Sequence, residues 1–134
     1  MKTTRQKRPD RVKDNSKNKE IVIPILNDEY KVIVCWGNSE YIRKVLKVWW
    51  YPNDFTNEML IDRRGVCFHS PKCHPVIALP KQPKTAEEIG SLSHEAVHAI
   101  ADIFRKIEQD YAEEVYAHCV GAIVRKTLLI KKSK

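Results

Sequence analysis

No apolar run in this 134-residue chain approaches the roughly 20 residues that span a bilayer, so a helical membrane protein is excluded and no membrane partner is expected. No apolar stretch follows the charged residues 1–9, so a secretory signal is not expected there and a cytoplasmic protein is the default. Cysteine is sparse: Cys35, Cys67, Cys73 and Cys119. A single domain of this length needs no disulfides, and in a reducing compartment these are thiols or metal ligands. Cys35 and Cys119 lie in apolar runs and read as buried small hydrophobes. No internal repeat is visible.

Acid is nearly missing from both ends. Residues 1–19 hold eight Lys/Arg against two Asp, and residues 125–134 hold five Lys/Arg and no acid. The body between them holds 11 basic and 15 acidic residues, so the net charge of +7 belongs to two tails and not to a folded surface. Such tails read first as solvated arms that aid solubility. They also suit loose contact with nucleic-acid phosphates.

What is present divides into short punctuated segments. Residues 1–19, almost without apolar side chains, are expected to be disordered, with a single domain over 20–134. Residues 21–26 read as a strand, at an edge because of Pro24, and pair through a turn at 27–29 with a second strand over 30–36. Ser39 is placed to cap a helix from Glu40, with Ile42, Val45, Leu46 and Trp49 at helical spacing and Pro52 as its end. Two further strands are expected at 65–68 and 75–79. Thr85 and Glu88 form a capping box, after which Ile89, Leu92, Ala96, Val97, Ile100, Ile103, Phe104 and Ile107 trace one helix face, ending near 109–110. A last helix is expected from about Tyr111 to Leu129, with Val115, Cys119, Ala122, Ile123 and Leu128 inward. The fold class is α+β: a small, mainly antiparallel sheet, one early helix and two long C-terminal helices.

The informative segment is His94-Glu95-Ala96-Val97-His98. Histidines four apart on a helix leave the same face, and their nitrogens reach one tetrahedral zinc at about 2.0–2.1 Å. Glu95, about 100° around the helix, flanks such an ion without ligating it. From there it can accept a proton from a water that zinc acidifies to a pKa of about 7. Metal-free helices also carry such pairs, as solvated faces or helix-end charges. Here the neighbours Leu92, Ala96, Val97, Ala99, Ile100 and Ala101 are apolar, and polar groups buried unpaired among them are costly.

A catalytic zinc takes three protein ligands and keeps a position open. The metzincin extension needs Gly at 101 and His at 104, where this chain has Ala101 and Phe104, so that class is excluded. A glutamate from the following helix is the other common solution. Sixteen residues separate His98 from Glu114, enough for a turn and an antiparallel return. Glu114 is the favoured third ligand, with Glu113 as the alternative; either could instead be a helix N-terminal acid favoured by the macrodipole.

This arrangement resembles the gluzincin clan of metallopeptidases. More narrowly, residues 93–99 with Glu114-Val115-Tyr116-Ala117-His118 resemble small metallopeptidases encoded by tailed bacteriophages and prophages, over about residues 76–125. The resemblance implies a minimal zincin fold, zinc held by His94, His98 and Glu114, Glu95 as general base, and a peptide or protein substrate, in the host cytoplasm if phage-encoded. Where that clan often has an Asp four residues after the ligand Glu, this chain has His118, which then contacts the substrate oxyanion or is itself the third ligand. Tyr111 and Tyr116 are further oxyanion candidates. By analogy with zincins, the segment Val76–Leu79 would bind extended peptide as an edge strand.

A second constellation, Cys67, His69, Cys73 and His74, fits a structural zinc or a hairpin turn with incidental thiols, or brings His69 or His74 to the mouth of the active site. Two function classes therefore stand: a zinc metallopeptidase, and a zincin-fold zinc-binding interaction protein with little or no hydrolysis. The short chain suits the second and the presence of Glu95 the first.

Overall fold

The computed structural model describes residues 17–26, 29–52, 65–107 and 113–130. Apolar residues dominate the segments Tyr30–Trp36 and Cys73–Leu79, which become strands buried on both faces. In chain order the elements are β1 (Lys19–Ile25), β2 (Tyr30–Trp36), α1 (Ser39–Val48), β3 (Val66–Ser70), β4 (Cys73–Leu79), α2 (Ala86–Lys106) and α3 (Glu113–Leu128). The fold is α+β, with a four-stranded mixed sheet ordered β1-β2-β4-β3. β1 runs antiparallel to β2 with Ile21 opposite Val34, and β3 antiparallel to β4 with Cys67 opposite Ile77. β2 and β4 are parallel, Ile33 opposite Val76 and Trp36 opposite Leu79. A parallel pair needs a long crossover, and α1 supplies part of it.

The period of two in β2 and β4 divides the core. Val32, Val34, Trp36, Ile77 and Leu79 face α2 and α3, where they meet Leu92, Ala96, Ile100, Ile103 and Ile123. Ile33, Cys35, Val76 and Ala78 face α1, where they meet Ile42, Val45, Leu46 and Trp49. Cys35 and Cys119 are buried as expected, and Pro24 lies on the edge strand β1. No helix among the described residues is long and apolar enough to cross a membrane.

Several local expectations are corrected. Asn38, not Ser39, caps α1: its side chain accepts from Tyr41 N at 2.8 Å. The helix stops at Val48, before Pro52 is reached, because Trp50 takes a positive φ of 74° and the Tyr51 amide turns back to Leu46 O. α2 ends at Lys106 and α3 begins at Glu113; Tyr111 and residues 108–110 lie outside the described residues, as do 1–16 and, of the expected turn, 27 and 28. On α3 the inward residues are Cys119, Ile123 and Thr127, whereas Val115 and Leu128 are exposed. Thr127 tolerates full burial because its hydroxyl donates to Ile123 O at 2.8 Å. Val97 is also exposed, at 43 %, and Ala99 takes its place in the buried face of α2. The segment Val76–Leu79 is not an edge: it lies in β4, between β2 and β3. The sheet ends at β3, beside α2.

Candidate metal centre

α2 begins with the capping box expected from sequence. Thr85 Oγ1 accepts from Glu88 N at 3.1 Å, and Glu88 Oε1 accepts from the Lys84 and Thr85 amides at 2.9 and 3.1 Å. Those two backbone donors, with Lys81 Nζ 3.0 Å away, hold the Glu88 carboxyl at about 2. The buried stripe of α2 then runs through Leu92, Ala96, Ala99, Ile100 and Ile103. One consequence of the 100° step is that His94 and His98 leave the opposite side. Both are exposed. The burial cost expected from their apolar neighbours therefore does not arise: Leu92, Ala96, Ala99 and Ile100 point the other way, and Val97 is itself exposed.

The two rings converge all the same. His94 Nε2 and His98 Nε2 are 3.2 Å apart, with ring planes at 77° and centroids 4.8 Å apart. Two nitrogens at zinc–nitrogen distance from one tetrahedral ion are separated by about 3.3–3.4 Å. The pair thus presents the bite of a tetrahedral metal with little adjustment. In the absence of metal the same separation suits one ring donating to the other.

Two walls flank this stripe. On the Glu95 side is the edge strand β3. Gly65 stands just before it, and a Cβ built there would lie 3.5 Å from Glu95 Cγ and 3.0 Å from Leu79 Cδ2. A side chain there would press on Leu79, while the Glu95 stem lies at ordinary contact distance. Further along, burial and then the carboxylates of Glu95 and Asp102 push the Cys67 thiol up to about 12. On the Val97 side is α3. Tyr116 donates its hydroxyl to Val97 O at 2.7 Å, and its ring meets Phe104 edge-on at 5.6 Å. Gly65, Glu87, Gly90, Ser91, His94 and Glu95 line a cleft of about 350 Å³ along the first turns of α2.

The other expected residues are placed as follows. Glu113 and Glu114 open α3, the helix packed on α2, and their side chains lie outside the described residues. His118 is exposed on α3, and no hydrogen bond, ion pair or ring contact joins it to His94 or His98. Among the described residues no third His, Cys, Asp or Glu completes a metal cluster. Tyr116 has its hydroxyl on a backbone carbonyl.

The Cys67, His69, Cys73 and His74 group is divided by the sheet. Cys67 packs against the α2 and α3 core, and His69 Nδ1 lies 3.6 Å from Asp102 Oδ1 on α2. Cys73 packs on the α1 side with its thiol toward Trp50 O, and His74 meets Trp49 edge-on at 6.2 Å. The hairpin separates them, so the four do not share a metal, and neither histidine lines the cleft at His94.

Sequence reasoning missed Asp102. It is 4 % exposed, with Lys106 Nζ at 2.7 Å, and Lys106 also donates to Cys73 O. These contacts tie the β3–β4 hairpin to the second half of α2 and so fix the wall beside Glu95. The i, i+4 spacing of Asp102 and Lys106 was readable as a helical ion pair, but not as a buried one. Comparison with protein-family models, with curated proteins and with solved structures found no match to this chain.

Proposed function

We propose that this chain is a zinc-dependent metallopeptidase whose site is the exposed stripe of α2. The observation that carries the reading is the 3.2 Å convergence of His94 Nε2 and His98 Nε2. His94 and Glu95 also line the cleft along the first turns of α2, with an edge strand alongside. His94 and His98 supply two ligands. Glu114, in the first turn of α3, supplies the third, with Glu113 as its alternative. When bound, zinc supplies an acidified water and a polarised carbonyl.

The remaining chemistry belongs to the protein. Glu95 takes a proton from the attacking water and returns it to the leaving amine. Tyr116 is less suited to an oxyanion role, since its hydroxyl is directed at Val97 O; His118, exposed on the same helix, keeps that role. β3 takes over the substrate role that analogy gave to Val76–Leu79. A peptide in extended form would add to its outer edge, beside Glu95, through main-chain hydrogen bonds.

The test is a Glu95→Gln variant assayed beside the parent for cleavage of a mixed peptide library. Loss of a positioned acid–base group lowers the rate by about 10²–10⁴-fold. The reading predicts that loss with metal content unchanged. Cleavage at the parent rate would remove Glu95 from the mechanism. Metal bound stoichiometrically with no cleavage of any peptide by the parent would favour the interaction protein instead.

A further inference from the structure

The exposed stripe of α2 does not end at His98. At 100° per residue, His94, His98, Ala101 and Arg105 lie within about 60° of one another around the helix. His94, His98 and Arg105 are exposed, and the small Ala101 leaves the stripe low between them. Arg105 stands seven residues past His98, about 10 Å further along the axis. The edge strand follows the same line. Gly65 lies beside Glu95 and His69 beside Asp102, so β3 runs alongside α2 in the same direction. The seam between strand and helix therefore leads from Glu95 at one end to His69, Asp102 and Arg105 at the other.

That second end is built around one carboxylate. Asp102 is buried and faces three basic side chains: Lys106 Nζ stands 2.7 Å from Oδ2, while His69 Nδ1 and Arg105 Nη2 each stand 3.6 Å from Oδ1. Lys106 is largely buried, and its ammonium also donates to Cys73 O, so it is committed to the fold. Arg105 and His69 are not committed in this way. Their side chains are 63 % and 46 % exposed, and 3.6 Å is too long for a strong hydrogen bond to the shared oxygen. Since both nitrogens stand 3.6 Å from one atom, they are no more than about 7 Å apart. A carboxylate that accepts at about 2.8 Å on each side spans that gap. Asp102 is the one acid of α2 after Glu95, so with His69 neutral Arg105 and Lys106 still outweigh it by one positive charge.

We propose that Arg105 and His69 form a subsite for an acidic side chain of an extended peptide, about three residues from the bond cleaved at His94 and His98, which rests on the reading of β3 as the peptide-binding edge of a zinc peptidase. An extended strand advances about 3.4 Å per residue, so the roughly 10 Å from His98 to Arg105 corresponds to three residues. The Arg105 guanidinium offers a fork of donors that matches a carboxylate. Asp102 is a positioning residue here, since its one oxygen holds Arg105 and His69 side by side. A lysine or arginine of the peptide at the same place would face like charge, which sets the preference against it.

The test is cleavage by the zinc-loaded full chain of peptides that carry Glu or Gln at each position in turn. Beside it, the labelled Glu and Gln peptides are titrated by anisotropy into the Glu95→Gln protein, where binding needs no hydrolysis. The parent is expected to favour Glu over Gln about fivefold in kcat/KM at one position, about three residues from the cleaved bond, with a similar ratio in Kd. Raising KCl from roughly 50 mM to 0.5 M is expected to bring that ratio below about twofold, as screening removes the attraction. Arg105→Gln is expected to bring the ratio near one, Arg105→Lys to keep part of it, and Arg105→Glu to favour Lys over Gln instead. Arg125→Gln, exposed on α3, is expected to keep the parent ratio. Each ratio is taken within one protein, so a variant that folds less completely does not alter it. Cleavage by the parent without a Glu preference, or a preference that survives Arg105→Gln, would overturn the subsite and leave the peptidase reading intact. A Glu preference in binding, with no cleavage of any peptide by the parent, would overturn that reading and support the subsite. Absence of both would overturn the two together.

Discussion

His94 Nε2 and His98 Nε2 stand 3.2 Å apart on the exposed stripe of α2, directly opposite the stripe that builds the core. The relationship follows from two spacings on one helix. Leu92, Ala96, Ile100 and Ile103 fix which way α2 faces, and the histidine positions then have no choice but solvent. Position and orientation of the pair are thus set by core packing, and its chemistry is left open to a ligand.

The third ligand gives the first prediction. Glu114→Ala is expected to weaken zinc binding by at least 100-fold, read by competition with a chromophoric chelator, while Glu113→Ala leaves it within about threefold. The reverse pattern would move the ligand to Glu113. Unchanged binding in both, with loss in His118→Ala, would move it to His118.

Gly90 gives the second. It sits one turn before His94 on the cleft side of α2, and a Cβ there meets nothing within 4 Å. Gly90→Ala is therefore expected to stabilise the protein by about 0.5–1 kcal/mol, through helix propensity alone. Gly90→Phe is expected to fold equally well and to lower cleavage of large substrates by filling the cleft. Urea denaturation and the peptide assay check the two halves separately. Destabilisation by Ala would show that Gly90 has a packing partner.

How much of this was legible in the chain follows from what each signal depends on. β2, β4 and the buried face of α2 were readable because their apolar period is local, and the capping box at Thr85 and Glu88 located the start of α2 to the residue. Pro24 marked β1 as one edge, but which strand forms the other edge, beside α2, was not readable. Val76–Leu79 precedes α2 in sequence, but its place between β2 and β3 depends on a parallel pairing formed over some forty residues of chain. For Cys67, His69, Cys73 and His74 the hairpin turn with incidental thiols is the reading found, since residues close in sequence are divided between two faces. Asp102 drew no reading from the sequence, and the return of the hairpin over α2 buries it. Helical spacing placed Val97 and Val115 inward, and both are exposed.

His74 gives the third prediction, in pH. Burial first, then Lys31 and Lys106, lower its pKa to about 4 from an ordinary 6.5. Its Nδ1 accepts the Lys31 amide at 3.3 Å, which the neutral ring alone can do. The unfolded chain binds the proton more readily than the folded one between these two values. The stability His74 contributes is therefore complete above pH 6.5 and is lost as pH falls toward 4. Melting temperature is expected to drop more between pH 7 and 5 in the parent than in His74→Gln. Parallel pH dependence in the two proteins would place the titration elsewhere.

The most direct test of the central claim is the zinc content of the purified chain after loading with zinc and exhaustive dialysis, measured by mass spectrometry beside a His94→Ala/His98→Ala variant of matched folding. The account predicts about one zinc per chain in the parent and close to none in the variant. A parent that retains no zinc, or a variant that retains as much as the parent, would contradict it.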